Sequence, residues 1–348
     1  MSTAKIVVTD FIEDDLDWEV EEMTKRDVDF SHHQLKLASE EELVAAIKDA
    51  DVVIVNMAPM PESVIGQLDN CKLIIRHGIG YDNVDADACT EHGIRLANIP
   101  DYCAQEVAEQ AVSLILACAR RLFESRRILE EASANGIWDF STLGDIHRVQ
   151  DQTLGIVGCG RIGSRVYRMM ENVFAERMVC DPYMGDRRVA ALGIKPPYAL
   201  EEVLERADYV TMHTPLNDET HYLIDEPQLK LMKQSAYLIN TSRGGVINTE
   251  ALCKALREGW IAGAAIDVYE EEPPPADLEL FDLPTATLSA HLGWCSVESG
   301  WDIRHKIMAD VDNYLAGQPP RYTVNTEVEE KLGGKAYRTS DHGPGTTD

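Results

Sequence analysis

The chain has 348 residues, 45% of them apolar, and a formal net charge of −28. That length suits two domains better than one core, and the acidity excludes bulk attraction to nucleic acid or to an anionic membrane surface. The charge reads first as a solvated, self-repelling surface; 20 arginines against 12 lysines also suit a salt-adapted host. Eight cysteines occur without a C-x-x-C pair, and Cys118, Cys159 and Cys180 sit inside apolar runs. They read as reduced core residues of a cytoplasmic protein. The first ten residues lack the pattern of a signal peptide, and no run approaches the roughly 18 apolar residues that a membrane span needs.

In chain order, residues 4–9 predict a short buried strand, and residues 13–25 read as acidic surface. Ser39-Glu-Glu-Glu42 has the form of a capping box and predicts a helix through Leu43, Ala46 and Ile47. Residues 51–56, 72–76 and 93–98 predict further strands, with a short helix over 61–68. Strands alternating with helices in short units point to a parallel α/β sheet. This region has no glycine fingerprint and reads as a domain of its own. Asn98-Ile-Pro100 marks a first crossing between domains. A helix over 104–122 follows, with Val107, Ala108, Ala111, Val112, Leu114, Ile115 and Cys118 on one face. Residues 138–152 lack periodicity and read as an arm or long loop able to wrap a second subunit.

The most informative stretch is Thr153-Leu-Gly-Ile-Val-Gly-Cys-Gly-Arg-Ile-Gly163. Gly158, Gly160 and Gly163 stand in the order G-x-G-x-x-G between an apolar strand and a helix. The first permits a tight turn, the second lets backbone N–H groups approach a pyrophosphate, and the third lets helix and strand pack closely. A second apolar run ends in Asp181, 18 residues after Gly163. There a carboxylate can bond the ribose hydroxyls of NAD and repel a 2′-phosphate. Arg187 and Arg188 lie slightly further on and leave NADP open. Strands over 154–157, 178–181, 209–213, 236–240, 264–268 and 287–290, alternating with helices over 163–172, 200–206, 226–232 and 249–258, match a dinucleotide fold. An amphipathic helix over 301–315 returns to the first domain, and the tail from Gly333 is polar enough to be disordered.

Such sheets bind ligands beyond the carboxyl ends of their strands. Four candidate places lie there. In Arg76-His-Gly-Ile-Gly, the glycines either present N–H groups to a carboxylate or simply make a turn. In Asn240-Thr-Ser-Arg-Gly-Gly245, Arg243 offers a bidentate fork for a carboxylate. Asp267-Val-Tyr-Glu-Glu-Glu-Pro273 carries acids, and Ser289-Ala-His-Leu-Gly-Trp294 carries a histidine at a strand end. Arginine, acid and histidine thus fall on three consecutive strands.

With these motifs in this order, roughly residues 45–325 resemble the D-isomer-specific 2-hydroxyacid dehydrogenase family. The resemblance implies an α/β fold of two Rossmann-like domains. One is a flavodoxin-like substrate domain, residues 1–101 and 296–332. The other, inserted over residues 102–295, is an NAD-binding doubly wound parallel sheet; residues 333–348 are left as a tail. It implies Arg243, Glu272 and His291 as the catalytic trio, Glu272 because it precedes the proline, with Glu270 and Glu271 as bystanders. It places Gly158, Gly160, Arg161, Ile162, Asp181, Thr214, Pro215, Thr241, Ser242, Arg243, Asp267, His291 and Trp294 at NAD-contacting positions, with Val107 their neighbour. Arg76, Gly78 and Ile79 fall where the family binds the substrate carboxylate or its surroundings, and Arg243 is implied to clamp substrate oxygens as well. The implied reaction is reversible hydride exchange between NAD(H) and a 2-oxo or 2-hydroxy acid, in a homodimer, with no metal. Glu272 argues against formate dehydrogenase, which lacks that Glu–His pairing. Trp294 and the Arg76-x-Gly-x-Gly-Tyr-Asp-Asn run are similar to the C-terminal-binding-protein corepressors, which implies an alternative: an NAD(H)-binding dimeric scaffold. Trp294 and Tyr81 together suggest an aromatic-walled pocket for a bulky 2-oxo acid.

Overall fold

The computed structural model describes residues 3–195 and 197–333. They form two compact units: one takes in the chain up to Tyr102 and again from Ser296, the other is Cys103–Cys295. The crossings expected from the sequence followed residues 101 and 295. The expected disordered tail lies outside the described residues except for Gly333.

The first unit runs β1 (Lys5–Val8), α1 (Asp17–Lys25), β2 (Asp29–His32), α2 (Glu40–Ile47), β3 (Val52–Val55), α3 (Glu62–Ile65), β4 (Leu73–Arg76), α4 (Ala86–Glu91) and β5 (Arg95–Ala97). All pairings are parallel, in the order β2-β1-β3-β4-β5. The inner strands β1, β3 and β4 are apolar at nearly every position because both faces are covered. Val7, Val53, Ile74 and Leu96 enter one core, while Ile6, Val8, Ile54 and Ile75 enter the other, the two-residue period of a pleated strand. The Ser39–Glu42 capping box forms as read.

Parts of this unit differ from the expectation, the unforeseen helix α4 among them. The acidic stretch is a helix, α1, that buries Met23 fully and Glu19 almost fully. Glu19 is tolerated because Arg304 grips both its oxygens, each at 2.5 Å, and a buried carboxylate needs such a partner. Strand β2 was not foreseen. As the sheet's edge it reads Asp-Phe-Ser-His and shows no apolar run.

The second unit runs α5 (Ala104–Ala119), α6 (Leu122–Asn135), β6 (Thr153–Val157), α7 (Arg161–Met169), β7 (Glu176–Cys180), α8 (Asp186–Leu192), α9 (Leu200–Arg206), β8 (Tyr209–Met212), α10 (Glu226–Leu231), β9 (Tyr237–Asn240), α11 (Thr249–Glu258), β10 (Gly263–Ile266) and β11 (Ala286–Leu288). Helix α12 (Val297–Leu315), capped by Ser296, then belongs to the first unit. The second sheet is parallel in the order β11-β10-β9-β8-β6-β7. Counted within the unit this is 6-5-4-3-1-2, whereas the usual dinucleotide order has its third strand outside the second. Here the third strand crosses at once to the other side of the first, since no strand lies between β7 and β8 among the described residues. Either way the order reverses at the first strand, so a crevice opens beyond the carboxyl ends of β6 and β8.

Helix α6 was not foreseen either. None of its side chains is buried, and Leu122, Phe123 and Leu129 are exposed. The stretch after it holds only two short 3-10 turns, Ser141–Leu143 and Val149–Asp151.

Candidate active site

At the switch point of the second sheet, the glycine turn leaves β6 and enters α7. Gly158 has φ of +84°, and a Cβ there would lie 2.6 Å from the His213 carbonyl oxygen. A Cβ on Gly163 would lie 2.2 Å from the Gly158 oxygen. These two glycines are dictated by protein crowding. Gly160 differs, since nothing lies within 4 Å of where its Cβ would stand. It caps α7, whose first residues are Arg161 and the half-buried Ile162. The open space therefore lies over a helix N-terminus, where unpaired N–H groups favour an anion.

Asp181 follows β7 and helps to shape this turn, its carboxylate accepting from the Cys159 N–H at 2.9 Å and the Tyr183 N–H at 3.0 Å. Beyond β8 and β9, the hydroxyls of Thr214 and Thr241 are buried without a hydrogen-bond partner, as is His213 Nδ1. Buried polar atoms are almost always paired. Such orphans around an open glycine cradle fit a polar ligand such as a dinucleotide. Pro215 is exposed beside Thr214. Burial pushes the His213 pKa down to about 3, so its ring is neutral.

Two turns bring the acid and the histidine together. His291 lies just past β11 with φ of +53°, and its N–H donates to the Asp267 carbonyl at 2.8 Å. Its Nδ1 is 2.7 Å from Glu272 Oε2, and the other Glu272 oxygen accepts from the Tyr269 N–H at 3.1 Å. Burial raises the Glu272 pKa. The hydrogen bond and charge of His291, the Tyr269 N–H and the Arg243 charge outweigh it and hold that pKa below the ordinary carboxylate value. Asp267 is fully buried. It accepts from the N–H groups of Leu292 and Gly293 at 3.0 and 2.8 Å, from Gln110 at 3.4 Å and from the Ser289 hydroxyl. Its carboxylate thus holds the histidine turn in place. Val107 on α5 packs by Gly293, about where a Cβ would be 3.7 Å away. Trp294 is half-buried at the end of the same turn.

Arg243 sits on a turn built by Asn240. The Asn240 side chain accepts from the Ser242 N–H and hydroxyl at 3.0 and 2.8 Å and donates to the Arg243 carbonyl at 2.8 Å. That is the physical reason for Asn-Thr-Ser-Arg after a buried strand. In the first unit, Arg76 ends β4, and Gly78 and Ile79 follow in the turn beyond it. The Arg76 guanidinium donates to the His77 carbonyl at 2.9 Å, and the Ile79 carbonyl accepts from Asn98 at 2.6 Å.

Some participants escaped sequence reading. Gln110 reaches both Asp267 and Ser289, and its signal was available: it is a polar residue on the apolar face of α5 that carries Val107 and Ala111. Glu270, read as a bystander, is bonded to Tyr222 and Thr249. No local pattern marks that.

A family model described as D-isomer specific 2-hydroxyacid dehydrogenase, NAD binding domain, matches residues 112–293. The chain is 35% identical over 292 residues to the glyoxylate reductase of Korarchaeum cryptofilum, spanning 83% of this chain and 87% of that one. It is 35% identical over 333 residues to the D-3-phosphoglycerate dehydrogenase of Methanocaldococcus jannaschii, spanning 94% of this chain and 61% of that one. The crystal structure of a D-lactate dehydrogenase from Aquifex aeolicus, complexed with NAD and lactic acid, is similar with a TM-score of 0.81 and 25% identity, over 92% of this chain and 99% of that one.

Proposed function

The chain belongs to the D-isomer-specific 2-hydroxyacid dehydrogenase family and is an NAD-dependent oxidoreductase, and from that premise we propose that it interconverts a 2-oxo acid and a D-2-hydroxy acid with His291 as acid/base. The observation that carries the assignment is the 2.7 Å contact between His291 Nδ1 and Glu272. Commitment of Nδ1 to a carboxylate leaves Nε2 as the nitrogen that exchanges a proton with substrate.

When bound, NADH supplies the hydride for the 2-oxo carbon. As negative charge grows on the keto oxygen, His291 donates its Nε2 proton there, and Glu272 stabilises the imidazolium that precedes the transfer. Arg243 holds substrate oxygens in its fork and stabilises the same charge. Arg76, Gly78 and Ile79 take the substrate carboxylate through the arginine and turn amides. Gly158, Gly160, Arg161, Ile162 and Asp181 hold the pyrophosphate and ribose; Thr214, Pro215, Thr241, Ser242 and Trp294 line the rest, with Val107 and Asp267 supporting them. Oxidation reverses the proton transfer.

The test is loss of NADH absorbance with glyoxylate, hydroxypyruvate, pyruvate, 3-phosphohydroxypyruvate, 2-oxo-4-methylpentanoate and phenylpyruvate. The relatives' names put glyoxylate first; preference for phenylpyruvate would instead favour the aromatic-wall reading. NADH binding without turnover on any of these would favour the corepressor-like scaffold.

We further propose a cytoplasmic homodimer. All eight cysteines are free and seven are buried, which supports a reducing compartment. Phe123, Ile137, Trp138 and Phe140, on and after α6, are large apolar side chains left exposed, and a second subunit would cover them. Light scattering that returned the mass of a single chain would refute the dimer.

A further inference from the structure

We propose that Glu270 is a positioning residue, bracing the segment that carries Glu272 so that its carboxylate meets His291; this rests on the acid/base reading above. Glu270 stands two residues before Glu272, and its carboxylate is spent elsewhere. One oxygen accepts from the Tyr222 hydroxyl at 2.7 Å, the other from the Thr249 N–H at 2.9 Å, at the start of α11. Burial disfavours its charge, yet the bonds to Thr249 and Tyr222 hold its pKa below the ordinary value. Tyr222 adopts φ of +50°, and its ring lies against that of His221, tilted by 34° with centroids 3.9 Å apart. A left-handed backbone at a bulky residue is disfavoured and persists only where its surroundings impose it. Here it presents the hydroxyl to Glu270.

The braced segment is short. The Tyr269 hydroxyl donates to the Ser289 carbonyl at 2.9 Å, tying the inner end to the histidine turn. The Tyr269–Glu270 peptide packs against Gly244, where a Cβ would be 2.0 Å from the Tyr269 carbonyl carbon. Gly244 directly follows Arg243. Glu270 therefore fastens the Glu272 segment to the start of α11, the helix that follows the Arg243 turn. Without the Glu270 carboxylate, the segment loses its two side-chain bonds to Tyr222 and to the start of α11. Misplacement of a catalytic group by about an ångström is enough to slow turnover severely.

The experiment compares Glu270→Ala, Glu270→Gln, Tyr222→Phe and Glu272→Gln with the parent protein, using glyoxylate and NADH. The readouts are kcat, NADH affinity by fluorescence and the pH–rate profile of reduction. Glu270→Ala should lower kcat by about 10-fold with NADH affinity unchanged, and move the alkaline limb of the profile to lower pH as the imidazolium loses its partner. Glu270→Gln should stay within about 3-fold of the parent, because its amide oxygen still accepts from Thr249 and its NH₂ can donate to the Tyr222 oxygen. Tyr222→Phe should fall between them. If Glu270→Ala lowers only thermal stability and leaves kcat and the limb in place, the brace is merely structural and the proposal is overturned. If Glu272→Gln itself leaves kcat and the limb unchanged, the acid/base reading has failed, and the proposal with it. Impaired Glu272→Gln beside an unimpaired Glu270→Ala overturns the brace alone.

Discussion

The two sheets share the strand order 2-1-3-4-5, which the second unit extends by a sixth strand, and they handle their switch points in opposite ways. In each unit the first strand lies between the second and third, so each has loops converging at the same place. In the first unit the protein closes that place itself. Asp10, just past β1 and almost fully buried, accepts from the N–H groups of Asn56, Met57 and Ala58 at 3.3, 2.7 and 3.1 Å. Asn83 then donates to the carbonyls of Asn56 and Ala58. In the second unit the equivalent loops carry Gly160, open on its outer side, and the unpaired hydroxyl of Thr214. In the first unit a buried carboxylate takes up three loop amides; in the second, Asp181 takes the Cys159 and Tyr183 amides while the Thr214 hydroxyl stays without a partner. Fold alone does not make a cofactor site; the loop residues at the switch point do.

This contrast can be broken by substitution. The largest effect is expected within the second unit. His291→Ala should lower kcat with the preferred 2-oxo acid by about 10² to 10⁴-fold, with NADH binding retained in a fluorescence titration. Turnover equal to the parent's would remove His291 from the chemistry.

Next come the glycines, which separate crowding from ligand space. Gly163→Ala places a methyl against the Gly158 oxygen. It should both lower the melting temperature and weaken NADH at least about 10-fold, since overpacking costs roughly 1–3 kcal/mol. Gly160→Ala meets no protein atom, so it should weaken NADH while leaving the melting temperature almost unmoved. Equal destabilisation by both would mean that the space over Gly160 belongs to the fold.

Asp10→Ala sharpens the comparison from the other side. Three amides lose their acceptor, at a cost of about 3 kcal/mol, readable as a lower urea midpoint. NADH affinity should not change, because the loss lies in the first unit. A weaker NADH titration would contradict the division of labour.

The smallest effect is a pH dependence. His213 is neutral in the folded protein, with a pKa near 3 against an ordinary value of 6.5. Between those values the unfolded chain binds a proton that the folded one does not, so stability falls as pH falls, by about 1 kcal/mol per pH unit from this residue. His213→Gln should flatten the loss of stability between pH 6 and pH 4 in thermal melts. An unchanged slope would show that the ring gains a proton while folded.

Much of this molecule was legible in one dimension because its signals are local. The strands announce themselves as apolar runs, covered on both faces. The Ser39 capping box and the G-x-G-x-x-G order are read from residues close along the chain, where steric and hydrogen-bonding rules operate within a few positions; the contacts that Gly158 and Asp181 then make, with His213 and Cys159, are longer-range. The edge strand β2 and helix α6 escaped because neither buries enough apolar surface to leave a pattern. Tertiary structure alone decided the rest. The strand order places β8 beside β6. Asp10 finds amides 46 to 48 residues away, Asp267 holds amides 25 and 26 residues away, and Glu270 reaches a hydroxyl 48 residues away. A carboxylate in a sequence reads the same whether it ends on solvent or on a buried donor, and only the packing of distant segments determines which donors it meets.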